Sequence, residues 1–475
     1  MNTASRDSED LSRFGYTQEL FRSMGGFSNF AISFSIISIL TGAVTLYGYG
    51  LEMGGPLEMT LGWPIATVFT LAIAASMGEL CSAYPTSGAM YHWAADLGGP
   101  TWGWFTAWLN IIGSIAATAG INYSCAQFIL PFLGLPLTAL DLFAMLGFIL
   151  LTQALLNQYS VNLVAWLNDA SVAIQIIGVL ILVGVIFLFA PKQPISFLTD
   201  AVNSNGRTPY FWAFALGLLQ AQWTYTGFDA SAHMTEETED PRRRAPWGIV
   251  LSVAVSGVAG YILLIALTLA IPSISAVLSA KDAAGNPVPA AIAVLQLSLG
   301  AKAGNALAAL ASMAMWFCGL SSITSASRTL YALARDHGTP ASNWLRSVNP
   351  THGTPGPAIW VTCLVALGAM AWTGAIPVVT SFSTVALYVA YLIPVALATR
   401  RDGWRKDAVW NLGRYSRYVH WISIGYTVVV CFVLVMPPNE LAGRTLVALL
   451  CFLGVLYRVE ARKKYKGPEW IGQHS

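Results

Sequence analysis

Ile39-Leu40-Thr41-Gly42-Ala43 and Thr224-Tyr225-Thr226-Gly227-Phe228 are the stretches on which the reading of this sequence turns. Each lies inside a long apolar run, and each carries Thr-Gly where a membrane-crossing helix would be near mid-depth. Glycine weakens a helix, and backbone at lipid depth leaves helical geometry only where it lines a cavity. Two matching breaks five helices apart predict an inverted repeat with a binding site between its halves. Unwound backbone there would offer N–H groups, at the positive end of a half-helix, to a carboxylate, and carbonyls to a cation or an amine. That chemistry suits a zwitterion. For either Thr-Gly taken singly, close helix packing through small residues is the competing explanation.

The surrounding chain is built for lipid. Of its 475 residues 55% are hydrophobic and 10% charged, well below the roughly 25% charged content of a soluble domain. Val172 to Ala190 and Tyr261 to Ile271 carry no charge, and the first approaches the roughly 20 residues needed to cross a hydrocarbon core. A formal net charge of +2 and the lack of basic runs interleaved with aromatics argue against a nucleic-acid partner. Cys81, Cys125, Cys318, Cys363, Cys431 and Cys451 lie in or beside apolar stretches without a CxxC pair, so they read as small buried hydrophobes and not as a disulfide frame or metal site. The mixed-charge first two dozen residues do not resemble a removable signal peptide.

Cutting at polar and Gly/Pro-rich breaks predicts an all-α polytopic membrane protein of about twelve transmembrane helices, centred near residues 38, 70, 115, 148, 177, 221, 258, 316, 366, 387, 428 and 450. With both termini in the cytoplasm, all of the 25 Lys and Arg residues except Lys192, Arg207, Lys281, Lys302 and Arg444 fall on the inner side, as the positive-inside rule requires. The expected organisation is a cytoplasmic segment (1–24), a first five-helix repeat (25–190), a second (208–399), two additional helices (400–458) and a cytoplasmic tail (459–475).

Acidic residues at depth are few and expensive, about 2.5 to 3.5 kcal/mol each on the lenient insertion scale. Asp229, just past the second break, suits either a substrate amine or proton, or an N-cap for the half-helix beginning Ala230-Ser231-Ala232. Glu79 and Asp169 fall toward the inner ends of the second and fifth helices and read first as hydrogen-bond anchors, with ion coupling as the alternative. Trp223, one turn before the break, could close over a substrate or simply pack. Ser321, Ser322 and Ser325 on the eighth helix could ligate substrate or cation, or hydrogen-bond between helices.

Several stretches together resemble the amino acid-polyamine-organocation transporter superfamily, and within it the amino acid/choline branch that includes GABA and choline permeases. They are Gly26-Phe27-Ser28-Asn29-Phe30-Ala31-Ile32-Ser33-Phe34-Ser35, Glu79 with Tyr84-Pro85-Thr86-Ser87-Gly88-Ala89-Met90-Tyr91-His92-Trp93, Thr226 to His233 with Glu236-Glu237, and Ser327-Arg328 with Ala334-Arg335-Asp336. The resemblance implies a LeuT-type fold of two inverted five-helix repeats plus two helices. It places Thr41, Gly42, Trp223, Thr226, Gly227 and Asp229 at or beside the substrate, with Trp223 as a gate. It also makes Glu236, Arg328 and Arg335 candidates for inner-gate ion pairs, against snorkelling anchors for the arginines. The fifth helix departs from many sodium-independent relatives: it lacks a lysine and offers Asp169 and Gln175 instead.

The implied activity is secondary transport of an amino acid or GABA-like substrate across the cell membrane, proton-coupled in preference to exchange or sodium coupling. The alternative is a choline, ethanolamine or polyamine permease in which Asp229, Trp223 and Phe228 hold a cation. An enzyme is not expected: the histidines are scattered and no HExxH, GxSxG or phosphate-cradling loop occurs. Neither a cofactor nor a metal is expected.

Overall fold

The structure, a computed structural model, describes residues 3–282, 285–373, 376–468 and 470–471. Among these it is helical throughout, with isolated β-bridges as the only strand-like pairings. The end of the predicted tail, beyond 471, lies outside the described residues.

Among the described residues, ten helical runs are long and apolar enough to cross a membrane. A helix at Gly356–Thr373 and an interrupted segment between Tyr210 and His233 complete the twelve spans expected. The first span is three pieces, Gly26–Ile37, Ile39–Thr45 and Tyr47–Leu57. A wide turn, Glu58–Gly62, joins it to the second at Trp63–Ala83. The third (Pro100–Phe132), fourth (Ala139–Tyr159), fifth (Val161–Phe189), seventh (Pro241–Leu269) and eighth (Ala301–Arg335) are continuous. So are the tenth (Ile376–Ala398), eleventh (Ser416–Leu434) and twelfth (Glu440–Leu456).

Burial sorts these helices by role. The first, third and eighth spans are mostly buried, whereas the twelfth is mostly exposed, as expected of a helix whose side chains meet lipid instead of protein. The third packs along the eighth and tenth, and the seventh along the first and second, so the interrupted first and sixth spans are enclosed by continuous ones. That enclosure lets backbone depart from helical geometry at depth.

Both ends of the described chain meet at one end of the bundle. Trp470, which is buried, packs edge-on against Phe14 with ring centroids 5.0 Å apart, and Arg242 at the start of the seventh span pairs with Asp10 at 2.9 Å. This is the basic end. At the opposite end the 190–209 loop folds over the junction of the first two spans, with Leu57 N–H donating to the Asp200 carbonyl at 3.2 Å.

One expectation needs correcting. Cys81, Cys125, Cys318 and Cys363 are buried, but Cys431 is half-buried and Cys451 exposed. The last lies on the twelfth span, whose outward faces have no protein neighbour to bury them.

Candidate substrate site between the first and sixth spans

The first interruption lies one turn earlier than Thr41-Gly42. Helix ends at Ile37, Ser38 takes a left-handed conformation (φ 38°), and Ile39–Thr45 resumes with Thr41 and Gly42 inside it. Ser38 Oγ and Thr41 Oγ1 are hydrogen-bonded at 2.5 Å, so the threonine secures the break instead of forming it. Gly42 serves close approach: a Cβ there would fall 2.7 Å from Thr224 Cα on the sixth span. The packing explanation therefore holds for Gly42.

The sixth span breaks where the sequence places it. Helix stops at Thr224, residues 225–229 turn, and Ala230–His233 follows. Gly227 has φ 91°, a region L side chains rarely adopt, and a Cβ there would collide with Ile36 on the first span. Thr226 Oγ1 donates to the Trp223 carbonyl at 2.7 Å, closing the turn. The two interruptions thus touch: Gly42 lies on Thr224, and Gly227 on Ile36.

Asp229 is buried behind this turn. Its Oδ1 accepts from Tyr391 Oη at 2.7 Å, and its Oδ2 accepts from Asn110 Nδ2 at 3.2 Å and faces His233 Nε2 at 3.2 Å. It occupies the N-cap position of Ala230–His233, but its side chain makes no cap hydrogen bond. Its carboxylate instead ties the turn to the third and tenth spans, and Phe228 packs its ring on Tyr391 at 4.9 Å. On the basic side of the break, Ser33 Oγ donates to the Phe228 carbonyl and accepts from Ser231 N–H, both at 2.8 Å, and Asn29 Nδ2 donates to the Ser231 carbonyl at 3.0 Å.

A family model described as amino acid permease matches residues 24–457. The chain belongs to that family. The permease is 35% identical to amino-acid permease BAT1 of Arabidopsis thaliana, over 90% of this chain and 88% of that one. It is 33% identical to the BAT1 homolog of Oryza sativa subsp. japonica, over 96% and 94%, and 26% identical to the GABA-specific permease of Saccharomyces cerevisiae, over 97% and 86%. The superfamily recognised from the sequence is confirmed, and these names are those of transporters, not enzymes.

Around the break, the permease places the other candidates unequally. Trp223 is buried among Ala117, Ile121, Cys318 and Val385, with no hydrogen-bond partner for its indole N–H among the described residues. Ser322 bonds Thr118 on the third span at 2.6 Å, the helix-to-helix use of a hydroxyl; the Ser325 carbonyl accepts from Thr329 at 3.3 Å. Asp169 accepts from Ser28 at 2.9 Å and so joins the fifth span to the first. Glu79 is remote from the break: it accepts from Leu412 N–H at 3.0 Å and Ser416 Oγ at 2.5 Å, anchoring the loop ahead of the eleventh span.

Two ion pairs lie at the basic end of the permease. Arg335 makes a two-point contact with Glu236, at 3.0 and 2.9 Å, and Arg328 Nε meets Glu237 at 2.8 Å. Arg328 is 1% exposed, which rules out snorkelling. Tyr391 and Asn110 were not singled out by sequence, and Glu237 and His233 were quoted only within the matching stretches without a role; for Tyr391, Asn110 and Glu237 the partner is more than 90 residues away. Only His233, four residues from Asp229, had a local signal, the i,i+4 spacing on a helix. Tyr16 adds a further layer: its ring lies 3.7 Å from the Arg335 guanidinium and its hydroxyl donates to Asp336 at 2.9 Å.

Glu236 lies past the sixth span. Burial alone would raise its carboxyl, but the Arg335 charge and hydrogen bonds from Arg335 and Ser87 overcome that and hold it at about 2. A depressed carboxyl stabilises the fold fully above its unfolded value near 4.3, and that contribution is lost progressively as pH falls from there through about 2. Glu236→Gln should loosen the basic end by about 3 to 5 kcal/mol, because Arg335 is left buried without its counter-charge. The exchange Glu236→Arg with Arg335→Glu should recover only part of this, since Ser87 N–H and Oγ, at 3.0 and 2.7 Å, still point at position 236. Thermal unfolding of the purified variants measures both; full recovery in the double variant would contradict the role given to Ser87.

Proposed function

We propose that the permease is a secondary active transporter that carries an amino acid or GABA-like zwitterion by alternating access, driven by protons in preference to exchange. The observation that carries this reading is the contact between two helix interruptions inside a shell of continuous helices, at Ser38 and at 225–229. Non-helical backbone at depth is the device by which transporters present peptide groups to substrate. Residues 25–190 and 208–399 are the two repeats in this reading, with 400–458 as two additional helices. Thr41, Gly42, Trp223, Thr226, Gly227 and Phe228 frame the substrate space, and Ser322 lines it from the eighth span. Asp229, held by Tyr391 and Asn110, sets the shape of the sixth-span turn, and Trp223, whose indole N–H has no hydrogen-bond partner among the described residues, closes over the substrate.

The basic end faces the cytoplasm of a plasma membrane in this reading, with both termini inside, supported by the basic loops and by the packing of Phe14 on Trp470. The Glu236–Arg335 and Arg328–Glu237 pairs then form the inner gate. The test is competition uptake in reconstituted vesicles, with neutral, acidic and basic amino acids, GABA, choline and polyamines as competitors and proton and sodium gradients applied separately. Competition by an amino acid or GABA with proton-driven accumulation is the expected result. Competition by choline or polyamines alone would overturn the zwitterion assignment, and accumulation on a sodium gradient alone would overturn the coupling.

A further inference from the structure

Glu58 is an acid for which the substrate site has no use. It opens the wide turn Glu58–Gly62 between the first and second spans, at the end of the bundle opposite the termini, and it is 0% exposed. Neither carboxyl oxygen has a hydrogen-bond partner among the described residues. Glycines surround it: a Cβ at Gly50 would lie 2.6 Å from its Oε2, at Gly62 3.0 Å from its Oε1, and at Gly54 and Gly217 2.9 Å from its Cγ. These come from the first span, from the turn itself and from the sixth span, so the cage exists only while the first and sixth spans are closed upon one another.

The groups packed around the cage supply no counter-charge. From the first span Tyr47 and Tyr49 approach it, but Tyr47 Oη is bonded to Thr268 at 3.0 Å and Tyr49 Oη accepts from Asn439 at 3.2 Å. Glu52 is on the same piece and is itself acidic. Tyr210 of the sixth span donates to the Gly54 carbonyl at 2.6 Å. The seventh span has Tyr261 as its one ionisable residue beyond its basic start, the turn Ile195–Thr199 has none, and Asp200 after it engages through its carbonyl. Arg207 reaches toward the Pro437 carbonyl at 3.4 Å.

An ionised carboxylate stripped of water, donors and counter-ion is not a stable occupant of such a cage; the neutral acid is. A metal ion is no substitute, because no further ligand is present and the glycine contacts leave no room; no cluster of three or more His, Cys, Asp or Glu occurs among the described residues. We propose that Glu58 is a proton-binding site that gates this end of the permease: the end closes with Glu58 protonated, and opening hydrates the carboxyl and releases the proton to the same side. The proton therefore biases opening without being carried across, which separates this site from whatever ion drives transport. Where the open form is ionised, each unit rise in pH lowers the closed-to-open ratio about tenfold.

The test uses the purified full-length protein in lipid vesicles without substrate, comparing wild type with Glu58→Gln, which keeps the shape and removes the titration. Infrared difference spectra at neutral pH should show a protonated-carboxyl C=O band in the wild type that Glu58→Gln lacks. Amide hydrogen exchange in peptides covering 46–62 and 200–217, corrected for the intrinsic pH effect, should quicken by up to about tenfold per pH unit in the wild type and stay flat in Glu58→Gln. Absence of the band difference would show Glu58 ionised in the closed form and overturn the site. Parallel exchange profiles would overturn the gating.

Discussion

Gly227→Leu is expected to abolish uptake and to destabilise the protein severely, and Gly227→Ala to do much of the same with a single methyl group. Two penalties add at this position. The backbone sits at φ 91°, where a non-glycine residue costs of order 1 to 3 kcal/mol. The new Cβ would also approach Ile36 Cβ to 2.9 Å and its Cγ2 more closely still, an overpacking worth typically another 1 to 3 kcal/mol. For Gly227→Ala the sum is about 4 kcal/mol, roughly a thousandfold in the folding equilibrium. The two terms are separable in part. Adding Ile36→Ala removes the Cγ2 contact but leaves a Cβ 2.9 Å from the new methyl and the dihedral strain untouched, so the double variant should regain less than half of the lost stability in thermal unfolding of the detergent-solubilised protein. A Gly227→Ala protein as stable as wild type would show that the turn is not held in this conformation.

The second large effect is Asp229→Asn, predicted to leave a folded protein whose uptake is lost. The carboxylate accepts from both Tyr391 and Asn110 and faces His233. An amide replaces one acceptor with a donor: on the Oδ2 side it would confront the Asn110 amide donor, and on the Oδ1 side it would force Tyr391 to turn from donor to acceptor. An unmade buried hydrogen bond of this kind costs about 1 to 3 kcal/mol, enough to depopulate the turn roughly 30-fold at the middle of that range. Tyr391→Phe removes one donor and leaves the carboxylate its other partners, so its effect should be smaller. Monodisperse protein whose thermal unfolding is lowered by no more than about 1 to 3 kcal/mol implies, combined with vanished uptake in vesicles, is the expected pair of observations. Wild-type uptake by Asp229→Asn would remove Asp229 from the site altogether.

The same residues show where sequence is sufficient and where it is not. Hydrophobic length is a local property, and it specified a polytopic helical bundle, ten of whose described helical runs are long and apolar enough to cross a membrane. Gly227 was also legible: Thr-Gly in mid-span followed by an acid marks a break whatever packs around it. Gly42 carried the same dipeptide and yet sits within a helix, with the break at Ser38. A glycine tolerated for helix contact and one required by the backbone look identical until the neighbouring span is in place.

What the sequence by itself determined, then, is the solvent and the architecture: apolar runs of sufficient length must cross lipid as helices, and a Thr-Gly break in a span must line something. What only the tertiary structure decided is which polar groups face one another. Glu58 has no distinguishing sequence signal, but four glycines close over its side chain. Arg335 found Glu236 across 99 positions, and Tyr391 found Asp229 across 162. Such pairings depend on helix rotation and tilt, which are set by the summed packing of all the spans, and no single segment encodes them.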